Sequence, residues 1–342
     1  MNSSKLLGCV ATLGISGAVI AAVPDGQTLT YDPVVRFLIG LQPGKATGQT
    51  IGSGTIIGNG IKLVKGVRHG FVCVLTCAHN FTTDGKRTSP LDTGIGIGFG
   101  NSPGVNALST GYLADPTSFA IGTPNKLVDL GVMAVDIGPI TSDDWKKISK
   151  ITPVNVVACK SFAQDPKSLV GSTFSAMGYG NTGTKWLDPS ENNLWDGWQN
   201  TPKSGGTLRF ANSTVTRRTA PSEDSFGYTS ETLRWVLKKP GGANSIPGEG
   251  AILPGDSGGP MLFSNTVDVG GIKVNQQSLS GVITGGIIGQ IQLFGLNDTG
   301  TAITQDYANW INNSCAACPE PHPLVVITLG CGLLALRRRK RN

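Results

Sequence analysis

The chain has 342 residues, 39% hydrophobic and 15% charged, with 48 glycines; it has room for one large domain or two of roughly 100–150 residues each, and its composition favours short strands joined by glycine-rich turns over a helical bundle. The net charge of +6 sits at the chain ends: six of the 28 Lys and Arg residues are Lys5 and residues 337–341, and the other 22 nearly balance the 21 carboxylates of residues 6–318. A near-neutral body gives no electrostatic footprint for nucleic acid, and no such partner is expected.

Residues 1–22 read as a secretory signal, with Lys5 as the positive region, 6–20 as the apolar core and Val19-Ile20-Ala21 or Ile20-Ala21-Ala22 as the cleavage site. Short apolar or alternating runs follow at 34–40, 51–57, 61–64 and 71–76, and residues 65–70 carry turn chemistry between two of them. His69 in that turn is expected to be an exposed loop residue. Further strands are predicted at 127–135, 154–159, 173–178, 206–216 and 280–288. The Trp-containing stretch 181–204 and the charged, Pro/Gly-rich stretch 217–250 read as long surface loops. Ile303, Tyr307, Trp310 and Ile311 fall at helical spacing, with Thr304 as a candidate N-cap.

Cys9 belongs to the signal and Cys331 to the tail, which leaves Cys73, Cys77, Cys159, Cys315 and Cys318. Five is an odd number without the spacing of a dense disulfide framework, and the pairing stays open. Cys315-Ala-Ala-Cys318 is compatible with a redox pair, a metal half-site, a local disulfide or a plain linker.

Three segments carry chemistry. His79 follows an apolar strand directly, so it stands at a strand end where a side chain can leave the core. Ser257 lies in Leu253-Pro254-Gly255-Asp256-Ser257-Gly258-Gly259-Pro260. A serine hydroxyl is a poor nucleophile unless a base takes its proton and donors stabilise the oxyanion. The flanking glycines permit backbone conformations that aim amides at one point. Asp129 is a carboxylate inside the apolar run 127–135, where burial without a partner is costly; Asp136, seven residues on, offers the same chemistry.

At these segments the sequence resembles the trypsin/chymotrypsin family of serine proteases. Thr76-Cys77-Ala78-His79 looks like the family's TAAH motif, Asp129-Leu130-Gly131-Val132-Met133 is similar to its aspartate motif, and Gly255-Asp256-Ser257-Gly258-Gly259-Pro260 is identical to its GDSGGP motif. Weaker likenesses lie at 52–57, 177–180, 281–286 and 307–311. The order His79, Asp129, Ser257 matches the family and excludes an α/β-hydrolase arrangement, in which histidine comes last.

The resemblance implies an all-β fold of two antiparallel six-stranded β-barrels with a C-terminal helix. An N-terminal barrel over 34–150 would carry His79 and Asp129, and a C-terminal barrel over 151–314 would carry Ser257. It implies Ser257 as nucleophile, His79 as general base and acid, Asp129 as orienting carboxylate, and the backbone amides of Gly255 and Ser257 as oxyanion hole. It also implies a specificity pocket at Ala251, Thr284 and Gly286. An acidic residue is missing at Ala251, which argues against Lys/Arg specificity. The substrate is expected to be protein or peptide, with neither cofactor nor metal. Gly52 and Asn80 stand where the family has a disulfide, and no activation site of the family type precedes the domain. A catalytically silent binding module at the cell surface is the competing reading.

Residues 319–342 run Pro-Glu-Pro, then a 13-residue apolar stretch over 324–336, then five basic residues. The apolar stretch is short of the roughly 20 residues of a spanning helix. The pattern resembles the PEP-CTERM sorting signal, which implies a transient membrane association, processing by an exosortase-type enzyme, and delivery to the cell surface, the extracellular matrix or the medium. A permanent anchor is the alternative.

Overall fold

The computed structural model describes residues 33–39, 49–83, 86–87, 94–99, 111–123, 126–191, 194–202, 204–223, 227–242, 244–269, 272–285 and 291–316. The signal segment, Cys318 and the sorting tail lie outside them. Among the described residues no helix is long and apolar enough to cross a membrane.

The first lobe is a closed antiparallel barrel. Its strands are β1 (Val34–Ile39), β2 (Gln49–Val64), β3 (Val67–Thr76), β6 (Gly96–Gly98), β7 (Gly111–Thr123) and β8 (Lys126–Pro139), in the order β1-β2-β3-β8-β7-β6. The short strands β4 (Thr82–Thr83) and β5 (Lys86–Arg87) pair separately. The two runs at 51–57 and 61–64 are one long strand, and its turn into β3 uses positive φ at Lys65 and Gly66. Val35, Phe37, Ile56, Val72, Val74 and Phe81 fill the barrel, as expected when alternate residues of each strand point inward. A short helix, α1 (Asp143–Ile148), is capped by Ser142 and buries Trp145 and Ile148 against the barrel.

The second lobe is built on a seven-stranded antiparallel sheet. It contains β9 (Thr173–Gly178), β12 (Arg209–Thr214), β13 (Arg217–Glu223), β14 (Thr229–Val236), β15 (Pro260–Val269), β16 (Ile272–Gly285) and β18 (Asn297–Ala302), in the order β12-β9-β15-β16-β18-β14-β13. Phe174, Trp235, Met261, Phe263 and Ile283 form its core. Helix α2 (Gln305–Ala316) closes the fold and packs Tyr307, Ala308 and Ile311 into the cluster shared by the two lobes. The all-β fold with a C-terminal helix is thus observed.

Several local expectations are corrected. The stretch 181–204 holds a hairpin of β10 (Thr182–Asp188) and β11 (Leu194–Thr201), completed by β17 (Ile291–Leu293). Its exposed polar positions hid strands that bury only some residues, Trp198 among them. Likewise 217–250, read as a loop, contributes β13 and β14 to the edge of the seven-stranded sheet. Residues 154–159 make only isolated bridges, Val156 to Leu279 and Cys159 to Thr304. His69 lies within β3, and its Nδ1 is 2.8 Å from Asp136 Oδ2. One disulfide joins Cys73 of β3 to Cys315 of α2, and Cys77 and Cys159 are free and buried.

Candidate active site

Strand β3 ends at Thr76, and a single 3-10 turn, Ala78–Phe81, carries His79 out of the barrel. Strand β8 lies beside β3 in a register that pairs Thr76 with Gly131, so Asp129 falls at the same barrel end. Its carboxylate is buried and paired: the His79 backbone N–H donates to Oδ1 at 2.9 Å, and His79 Nδ1 is 2.8 Å from Oδ2. A carboxylate oxygen accepts, so the ring N–H at Nδ1 is the donor of this bond. The Asp129 N–H donates to Ser230 Oγ of β14 at 2.9 Å, which ties the pair to the second lobe.

The two candidate carboxylates are sorted by this geometry. Asp129 serves His79, and Asp136 serves His69 at the opposite end of the β3–β8 ladder. The Cys77 sulfur, with the residue fully buried, lies 3.4 Å from His79 Nε2. Burial opposes the imidazolium, but the charges and hydrogen bonds of Cys77 and Asp129 outweigh it and hold the His79 pKa well above its ordinary value. Burial pushes the Cys77 thiol up. Cys77, His79 and Asp129 together place one ligand atom each within 4.8 Å of one another.

Ser257 sits in the turn between Leu253 and β15. The turn closes through Asp256 N–H to Leu253 O at 3.0 Å and Gly259 N–H to Asp256 O at 2.9 Å. Gly255 and Gly258 adopt φ of 98° and 86°, which L side chains rarely tolerate. The Ser257 carbonyl accepts from Ser53 N–H at 2.7 Å and from Asn80 Nδ2 at 3.1 Å. Asn80 follows His79 directly, so the serine main chain is fastened one residue from the histidine. The Asp256 carboxylate is buried, accepts from the N–H groups of Gly180 and Leu253, and burial pushes it up to about 6.

The carbonyls that precede the Gly255 and Ser257 amides are both engaged. Pro254 O accepts from Asn181 N–H and Asp256 O from Gly259 N–H. In a trans peptide the N–H points opposite its carbonyl, so each N–H is turned away from the partner of that carbonyl. Among the described residues neither has a protein acceptor.

Ala251 is fully buried in an apolar cluster with Trp198, Leu237 and Leu253. Thr284 is buried in β16, and Gly286 lies outside the described residues. Sequence reasoning missed Ser230, for which no signal exists, and gave no role to Cys77, whose departure from the TAAH pattern was visible.

No family model and no curated protein matches the sequence. The structure is similar to that of kallikrein-related peptidase 10, with a TM-score of 0.41 and 13% identity over 84% of this chain and 97% of that chain. It is also similar to the Drosophila Grass clip serine protease of the Toll pathway, with a TM-score of 0.44 and 14% identity over 90% of this chain and 76% of that chain. Likeness at this level decides nothing about chemistry, which rests on the residues themselves.

Proposed function

We propose that the chain is a secreted or surface-delivered serine endopeptidase that cleaves peptide bonds through Ser257, His79 and Asp129. The observation that carries this reading is the pairing of half-buried His79 with buried Asp129, with the Ser257 turn fastened to Asn80. Ser257 Oγ attacks the peptide carbonyl while His79 Nε2 takes its proton, and Asp129 stabilises the imidazolium at Nδ1. The N–H groups of Gly255 and Ser257 receive the oxyanion. His79 then protonates the departing amine, and water, activated by the same nitrogen, releases the acyl group from Ser257.

The apolar surroundings of Ala251 support a small or apolar side chain at the specificity pocket, with Thr284 and Gly286 as its further lining. The signal segment and the tail support export, with the tail as a transient membrane-associated signal removed by an exosortase-type enzyme. Mass spectrometry of the mature protein reads this directly, since an intact Arg-rich C-terminus rules processing out.

The test of the activity is labelling of the full chain with a fluorophosphonate probe. Wild type labels on Ser257, Ser257→Ala does not, and Asp129→Asn loses rate on the order of 10⁴-fold. Equal labelling of wild type and Ser257→Ala overturns the reading and leaves the silent binding module as its replacement.

A further inference from the structure

The Cys77 thiol has no part in that mechanism, yet it touches the atom on which the mechanism turns. It is fully buried, so it cannot reach a substrate as a second nucleophile. The other free buried cysteine, Cys159, belongs to a different core cluster, so Cys77 is not one half of an unformed bridge to it. What remains is a sulfur and an imidazole nitrogen 3.4 Å apart at the junction of the two lobes.

We propose that Cys77 Sγ and His79 Nε2 form a binding site for a borderline-soft divalent cation of the Zn²⁺ type. A tetrahedral Zn²⁺, with Zn–S of about 2.3 Å and Zn–N of about 2.0–2.1 Å, holds its sulfur and nitrogen ligands about 3.5 Å apart. The observed separation, spanned by a Cys77–His79 hydrogen bond, is close to the bite of the ion. The ring is also prepared for it. Metal-bound histidines usually donate the other ring N–H to a carboxylate, which fixes the tautomer and raises ligand basicity. Here Asp129 holds Nδ1 at 2.8 Å, and its charge lies within 4.8 Å of both donor atoms.

Binding replaces the Cys77 S–H proton, and the Nε2 proton where the ring carries one, with an S–Zn–N bridge and releases them to solvent. The Nε2 lone pair is then committed to the metal and cannot take the Ser257 proton, so occupancy switches hydrolysis off. That consequence rests on the endopeptidase reading; the binding itself does not.

The test is titration of the full chain with Co²⁺, a spectroscopic stand-in whose thiolate ligation gives a near-ultraviolet charge-transfer band, followed by displacement with Zn²⁺. Wild type, Cys159→Ala and Cys318→Ala are expected to show the band at one equivalent, and Cys77→Ala to lose it. A band that persists in Cys77→Ala, or no saturable band in wild type, overturns the proposal. Should Cys77→Ala fail to fold, X-ray absorption at the zinc edge of Zn²⁺-loaded wild type decides: one sulfur at about 2.3 Å supports the site, and a shell of nitrogen and oxygen alone overturns it. If the chain labels with the fluorophosphonate, Zn²⁺ lowers the labelling rate of wild type and leaves that of Cys77→Ala unaffected. If it does not label at all, the cobalt band still decides the metal site.

Discussion

Asp298 is an unfavourably placed carboxyl group. It sits in β18 with the side chain buried, and its Oδ2 has no partner. Burial pushes its carboxyl up to about 8; the N–H of Ile252 and the indole of Trp235 pull it back only in part, and Asp256 pushes it further up. The native protein thus keeps this proton up to about pH 8, whereas the unfolded chain gives it up near the ordinary carboxylate range. The folded state binds more protons in between, so stability falls as pH rises, by about 1.4 kcal/mol per pH unit, and levels off above about 8. Asp298→Asn keeps the shape and needs no proton. Thermal melts from pH 5 to 9 are expected to show the fall in wild type and a flatter profile in the variant, with the variant more stable at pH 9. Nothing at residues 295–300 (GLNDTG) announces this burial, because the segment has turn composition and is held as a strand only by β14 and β16 on either side. Asp129 was legible for the opposite reason. It interrupts an apolar run where only a paired carboxylate belongs, although its motif was needed to separate it from Asp136.

Between elements, the strongest covalent constraint ties the first barrel to the last helix. Cys73 lies in the middle of β3 and Cys315 near the end of α2, 242 residues apart in sequence. Closing so long a loop restricts the unfolded chain and stabilises the fold by about 2–4 kcal/mol. Cys315→Ser is expected to lower the urea midpoint accordingly, and reductant to shift wild type to the same midpoint and leave the variant unmoved. An unchanged midpoint in the variant would show that the bridge does not form. This pairing could not be read from five cysteines, since both partners sit on elements whose contact depends on the whole fold. The helix itself was legible from the spacing of Ile303, Tyr307, Trp310 and Ile311. The strands within 181–204 and 217–250 were not, because their ladders lie at sheet edges and in a small side sheet where most positions stay polar. In β11 it is Trp198 that faces inward against Ala251 and Leu253, while Trp195 packs at the rim with Phe294 and takes Lys185 over its ring at 4.5 Å.

The two lobes meet through a hydrogen-bonded hub in place of a disulfide beside the histidine. Ser53 N–H donates to Ser257 O, Ser53 Oγ donates to Gly255 O at 2.9 Å, and Tyr179 N–H donates to Ser53 Oγ at 2.8 Å. Thr76 Oγ1 donates to Ser53 O at 2.7 Å, and Asn80 Nδ2 reaches both Thr76 Oγ1 and Ser257 O. A Cβ at Gly52 would run into the Asn80 amide, so the glycine and the asparagine occupy each other's space as the two halves of a bridge would. The coordinated absence of both cysteines was legible; what replaces them was not, because the carbonyl that Asn80 holds lies 177 residues away. This hub fastens the distant glycine-rich turn to the barrel end that carries the His79–Asp129 pair. Asn80→Ala leaves the Ser257 carbonyl with Ser53 alone and opens space beside Gly52. It is expected to cost about 1–3 kcal/mol in urea unfolding and to slow fluorophosphonate labelling of Ser257 by more than that loss of folded protein explains. Asn80→Asp has nearly the same shape but sets a carboxylate against the Ser257 carbonyl, so its labelling is expected to fall below that of Asn80→Ala. If both variants label at the wild-type rate, the serine turn keeps its position without the second lobe's hold on Asn80, and the hub serves stability only.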